Sequence, residues 1–138
     1  KTSTLIAMKR REFLKTACLA TACILPACKS TIKYADAIQQ GNKLVVDKSL
    51  FLANSIVTIA YNQHGIGITK LDDNTFATSL LTCTHQGCAV SVEKNGFICP
   101  CHGARFDNVG QVTKGPAEEN LTRFITSTDQ QFVYIHLS

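Results

Sequence analysis

A chain of 138 residues that is 45% hydrophobic and has no Trp suits one modest, β-rich domain with room for a targeting segment in front of it. The formal charge of +4 is unevenly placed: residues 1–27 hold five Lys/Arg against the single acid Glu12, whereas from Cys28 onward nine Lys/Arg balance nine Asp/Glu. The body is therefore neutral, and a basic N-terminus alone gives no support to nucleic-acid binding.

The N-terminal stretch reads as an address. Met8, the only Met, fits a start site, which would make residues 1–7 an upstream extension. From there "MKRREFLK" precedes the apolar run "TACLATACILPAC", the order of an export signal. Arg10-Arg11 followed by Phe13-Leu14-Lys15 resembles the twin-arginine signal, which exports proteins already folded around a cofactor. Residues 16–28 are too short for a membrane span, which needs roughly 20 apolar residues. The end of the run, "LPAC", resembles a bacterial lipobox, and the resemblance implies lipidation of Cys28 and a lipid anchor in the membrane. The alternatives are an ordinary cleaved signal, or an uncleaved anchor helix that begins further upstream. The expected division is an export signal over 1–28, a polar tether over 29–43 with room for an edge strand, and a folded domain over 44–138.

From Leu44 on, the pattern is β throughout. "KLVVDKSLF" and "SIVTIAY" are short runs rich in Val, Ile and aromatics. "GIGITKLDDNTFATSL" reads as a hairpin turning at Asp72-Asp73-Asn74, and "AVSVEKNGFIC" as a second one turning at Asn95-Gly96. "LTRFIT" and "QFVYIHLS" alternate and close the domain. There is no internal repeat, no low-complexity tract and no long amphipathic helix.

Two stretches carry chemistry. "CTHQGC" (83–88) and "CPCHGARF" (99–106) each offer one thiolate and one imidazole, as Cys83-x-His85 and Cys99-x₂-His102. The hairpin between them folds the second stretch back beside the first, so four metal ligands converge from two loops. Cys88 and Cys101 are surplus to such a site, and surplus neighbouring cysteines in an exported protein oxidise to a disulfide. Structural zinc is one occupant of a Cys₂His₂ set, but it explains neither the second cysteine pair nor the export signal. His64, in a polar turn, and His136, in the last strand, read as surface residues.

The two stretches together resemble the Rieske iron–sulfur signature, in the disulfide-containing form of cytochrome bc complexes. The likeness continues through "GQVTKGPAEENL", similar to the Gly-Pro-Ala segment that follows the second loop in that family. It covers residues 44–138. It implies an all-β fold of stacked antiparallel sheets with a two-loop cluster-binding subdomain, and one [2Fe-2S] cluster per chain. Cys83 and Cys99 would bind one iron, His85 and His102 the other, with Cys88–Cys101 as the bridge. Gly87 and Gly103 would let the backbone approach the sulfides. Two imidazoles in place of two thiolates remove two negative charges and raise the potential, to about −150 to +300 mV against about −400 mV for plant-type ferredoxins. One-electron transfer, coupled to a proton through the free imidazole nitrogens, is the chemistry implied.

The chain departs from the bc-complex pattern at several positions. Ala104 stands where Ser is usual and Phe106 where Tyr is usual, so both hydroxyls that bond the cluster and its ligand sulfur are missing. Gln86 replaces Leu beside His85, and Glu118 replaces the second Pro after Gly115-Pro116-Ala117. These changes bear on docking to a quinol site and leave the ligands untouched. The expected function is an exported, membrane-tethered carrier of single electrons on the periplasmic or extracytoplasmic face of a bacterial membrane. It would act as an electron carrier, or as the electron-transfer subunit of an oxidoreductase, with a redox protein, cytochrome or quinol as partner. The alternatives are the Rieske subunit of a quinol-oxidising bc complex and the small subunit of a periplasmic arsenite-oxidase-type enzyme. A Rieske oxygenase does not fit, because no two-His-one-carboxylate iron site or catalytic domain is left in this length.

Overall fold

The computed structural model describes residues 34–137, so the expected export signal and Cys28 lie outside the described residues. Eleven strands follow in order: β1 (Ile38–Gln40), β2 (Lys43–Asp47), β3 (Ile56–Tyr61), β4 (His64–Lys70), β5 (Phe76–Leu80), β6 (Ser91–Glu93), β7 (Gly96–Ile98), β8 (Arg105–Asp107), β9 (Val112–Lys114), β10 (Ile125–Thr128) and β11 (Phe132–His136). They form three antiparallel sheets, ordered β1-β2-β11-β10, β3-β4-β5 and β6-β7-β8-β9. The fold is all-β, as expected. Among the described residues no helix is long and apolar enough to cross a membrane.

Period-two alternation explains the first two sheets. Leu44 and Val46 on β2, Val133 and Ile135 on β11, and Ile66 and Ile68 on β4 all enter one buried core, with Ile59 from β3. β2 pairs with β11 from Lys43↔His136 to Asp47↔Phe132, joining the early and late strands of the domain in one sheet. The third sheet is an excursion between β5 and β10 with a core of its own. Val90, Phe97, Phe106 and Leu121 fill that core together with Cys83 and Cys99. The two candidate cysteine ligands thus sit in a separate, smaller hydrophobic core.

Local chemistry moves several boundaries. β1 lies inside the 29–43 stretch and forms the edge strand allowed for there, pairing Ile38↔Val45. The run "KSLF" is a 3-10 turn rather than strand, because the Asp47 carboxylate accepts the Ser49 N–H at 2.7 Å and caps it. β3 and β4 form a tight hairpin through Asn62 and Gln63, both at positive φ (43° and 66°). The β6–β7 turn falls on Lys94-Asn95, since the pairing Gly96↔Asp107 draws Gly96 into the ladder with β8.

Candidate metal centre

The two cysteine-rich stretches fold into the same six-residue loop. A bridge Thr82↔Ala89 closes the first, residues 83–88, and the ladder pair Ile98↔Arg105 closes the second, residues 99–104. In the first, the Cys83 N–H donates to the Cys88 carbonyl at 2.8 Å and the Gly87 N–H donates to the Cys83 carbonyl at 2.8 Å. In the second, the Cys99 N–H donates to the Ala104 carbonyl at 2.8 Å and the Gly103 N–H to the Cys99 carbonyl at 2.9 Å. Gly87 and Gly103 each adopt φ of +74°, the left-handed region that a Cβ disfavours, and the space a Cβ would enter is open at both. The loops are therefore a structural repeat. Only the Cys at the first position and the Gly at the fifth are shared, too little for the repeat to show in the letters.

The disulfide Cys88–Cys101 ties the two loops together. The pairing expected from the sequence is the one formed. Cys83 and Cys99 remain free thiols and are 3% and 1% exposed. Burial pushes the Cys83 thiol up from its ordinary value, although the His85 N–H opposes this, and the Cys99 sulfur beside it adds to the rise. The His85 and His102 rings lie edge to face with centroids 5.0 Å apart. His102 is exposed and His85 half-buried. The Sγ atoms of Cys88, Cys99 and Cys101 lie within 4.8 Å of one another, but two of the three are bonded to each other and are not available to a metal.

The donor set fits an iron–sulfur cluster. The Cys83 and Cys99 sulfurs lie side by side, the His85 and His102 rings are in contact, and the Nδ1 of His85 is buried with no hydrogen-bond partner. An orphaned buried nitrogen costs about 1–3 kcal/mol unless something bonds it. The other such atom among the described residues is Thr69 Oγ1, on β4 in the base sheet.

A third segment closes over the loops. Ala117 is 4% exposed and packs in the same cluster as Cys83 and Cys99. The Thr84 hydroxyl donates to the Glu119 carbonyl at 2.6 Å, fastening the first loop to this segment. Sequence reasoning singled out neither residue for that contact, and its only trace was the position of Thr84 between two candidate ligands. Gln86 and Glu118 are exposed, so the rim beside His85 is polar. Ala104 and Phe106, by contrast, are 0% and 3% exposed and enter the core that holds the two free cysteines. The two histidines outside the loops are occupied elsewhere: His64 Nδ1 shares a hydrogen bond with the Thr82 hydroxyl at 3.1 Å, and His136 Nε2 one with Ser127 at 2.8 Å.

Comparison with known proteins identifies the family. The family model of the Rieske [2Fe-2S] domain matches residues 42–125. The cytochrome b6-f complex iron-sulfur subunit of a Cyanothece species is 48% identical over 58 residues, covering 39% of this chain and 32% of that protein. The ubiquinol-cytochrome c reductase iron-sulfur subunit of Cereibacter sphaeroides is 46% identical over 57 residues, covering 36% of this chain and 30% of that protein. The chain thus spans about a third of the length of these curated relatives. Among solved structures, the plasma membrane Rieske protein PetC3 of Synechocystis superposes with a TM-score of 0.57 at 27% identity, covering 65% of this chain and 97% of that one. The chain belongs to the Rieske family: it carries a Rieske [2Fe-2S] domain that binds one cluster, and it is similar to the iron–sulfur subunits of bc-type complexes.

Proposed function

We propose that Cys83, His85, Cys99 and His102 are the four cluster ligands, with the cysteines on one iron and the histidines on the other. The observation that carries this reading is the orphaned, buried Nδ1 of His85 in a loop held beside two buried free thiols. When bound, the cluster supplies one-electron transfer. The chain's residues set its terms. The imidazoles bring no charge, so the ligand set is two negative charges lighter than four thiolates and the oxidant is stronger. The buried cysteines keep water from one side, while the exposed His102 leaves an edge through which an electron and a proton can pass.

The chain is, in this reading, an exported carrier of single electrons, tethered to the membrane on its extracytoplasmic face. The signal occupies 1–28, the tether begins at residue 29, and Cys28 carries the lipid. The lipobox-like "LPAC" and the twin arginines support this. A second reading, the Rieske subunit of a quinol-oxidising bc complex, draws on the two subunit relatives. The polar rim at Gln86 and the missing hydroxyls at Ala104 and Phe106 favour the carrier.

Iron and acid-labile sulfide analysis with a one-electron redox titration followed by electron spin resonance tests the assignment. Two irons and two sulfides per chain, titrating as one electron, are expected; a colourless zinc protein contradicts it. Cys28→Ala should release the protein from the membrane or leave it uncleaved, and an unmodified soluble wild type would remove the lipid anchor. Lysines at Arg10 and Arg11 should block export of the folded, loaded form, and undiminished export would remove the twin-arginine assignment.

A further inference from the structure

The free thiol of Cys99 lies beside a disulfide. Its Sγ and those of Cys88 and Cys101 are all within 4.8 Å of one another, and the last two are bonded. A free thiol sulfur and a cleavable S–S bond are thereby held together by the fold, with no segment that must move far to join them. Cys83, the other free thiol among the described residues, is not a member of this trio.

We propose that in the metal-free chain Cys99 exchanges into the disulfide, forming Cys88–Cys99 and releasing Cys101 as a surface thiol, and that a bound cluster prevents this by engaging the Cys99 sulfur. The electron pair of the Cys99 thiolate makes the new bond to Cys88 Sγ. The pair of the old bond leaves on Cys101 Sγ, which takes up a proton from water in place of the one Cys99 lost. One S–S bond is broken and one formed, so no oxidant or reductant is consumed.

The direction follows from the surroundings. Cys101 is exposed, so water stabilises it as the leaving thiolate, while Cys88 is half-buried against the same core as Cys99. Exchange with Cys101 instead would close a bond across Pro100 alone. The product still joins the two loops, but it has consumed a sulfur that the cluster needs. The device therefore orders assembly: a chain that forms its disulfide before loading locks itself out, and a loaded chain is protected. The protective half rests on Cys99 being a ligand, as proposed above; the exchange itself rests on the sulfur geometry alone.

The test uses the purified full chain, loaded and after anaerobic removal of the cluster with a chelator, without added thiol. Each form is alkylated with iodoacetamide and its linked peptides are identified by mass spectrometry. Alkylation of Cys101 should rise from background in the loaded chain to the majority of metal-free chains, with Cys88 linked to Cys99. Cys99→Ser should abolish that alkylation. Cys83→Ser, which also lacks a ligand, should retain it and so controls for folding. A metal-free chain that keeps Cys88–Cys101 with Cys83 and Cys99 both alkylated overturns the proposal. So does comparable pairing of Cys83, which would signal scrambling through unfolding, or loss of Cys101 alkylation in both variants. The iron content of Cys99→Ser reports separately on the ligand assignment.

Discussion

A hydroxyl introduced at position 104 should raise the midpoint potential by roughly 40–90 mV, and the structure shows why the effect should be large. Ala104 is fully buried in the core that contains Cys83 and Cys99, and its own carbonyl already accepts the Cys99 N–H at 2.8 Å. A serine hydroxyl there enters a water-free site in which sulfur is the acceptor that becomes more negative on reduction. A hydrogen bond to a charged group contributes about 1.5–3 kcal/mol against about 1 kcal/mol for a neutral pair, so the reduced state gains roughly 1–2 kcal/mol. At about 59 mV per tenfold for one electron, this gives the stated range. Phe106→Tyr should act in the same direction, because Phe106 is 3% exposed in the same core, and the double variant should be highest. The wild type, lacking both hydroxyls, should sit in the middle or lower part of the family range. Protein-film voltammetry of the four proteins measures this, with thermal unfolding run beside it, since a hydroxyl that finds no acceptor would cost about 1–3 kcal/mol of stability. Potentials unmoved by either substitution in proteins of undiminished stability would refute the reasoning that these positions set the potential.

Other perturbations read different parts of the structure. Replacing Cys88 and Cys101 together by Ala removes a bridge of sequence separation 13, which should cost about 3 kcal/mol and lower the melting temperature by about 10–20 °C; an unchanged melting curve would mean that the loops are held by other contacts. Gly103→Ala forces a side chain into φ of +74° and should destabilise by about 1–2 kcal/mol, with lowered iron content after purification; full occupancy and full stability would contradict the role given to the loop turn. The Tyr134 hydroxyl, with the Phe132 and Gln131 N–H groups, holds Asp129 below its ordinary value of 3.8, so Asp129 contributes stability above that value and loses it as pH falls through the lowered one. The same contact raises Tyr134 above 10, a contribution present below that pH and lost as pH rises through the raised value; urea unfolding of Tyr134→Phe should show a flatter alkaline limb, and an identical limb would assign the pH dependence elsewhere.

The all-β fold was legible, and the candidate ligands stood out, because each rests on a short-range signal. A short aliphatic run marks β2, alternation of Val and Ile with other residues marks β4 and β11, and the candidate ligands stand close together in two loops. β8 and β9 were not legible, being three residues each and stabilised by ladders, β8 to β7 and β9 to β8, rather than by their own composition. The 3-10 turn after β2 hid within an apolar run because one carboxylate, Asp47, decides it. The contact between Thr84 and the Glu119 carbonyl joins residues 35 apart in sequence and has no local mark. The repeat of the two loops lives in backbone hydrogen bonds, with its histidines at different positions, and so left almost nothing in the letters.

Nitrogen ligation is the point on which the account turns. Electron–nuclear double resonance of the reduced protein, compared with protein grown on ¹⁵N-histidine, counts the imidazoles bound to iron. Two coupled histidine nitrogens are expected, falling to one in His85→Cys, with the potential dropping in that variant as a neutral ligand gives way to a thiolate. No coupled nitrogen, or two that persist in His85→Cys, would contradict the assignment of Cys83, His85, Cys99 and His102 as the cluster ligands.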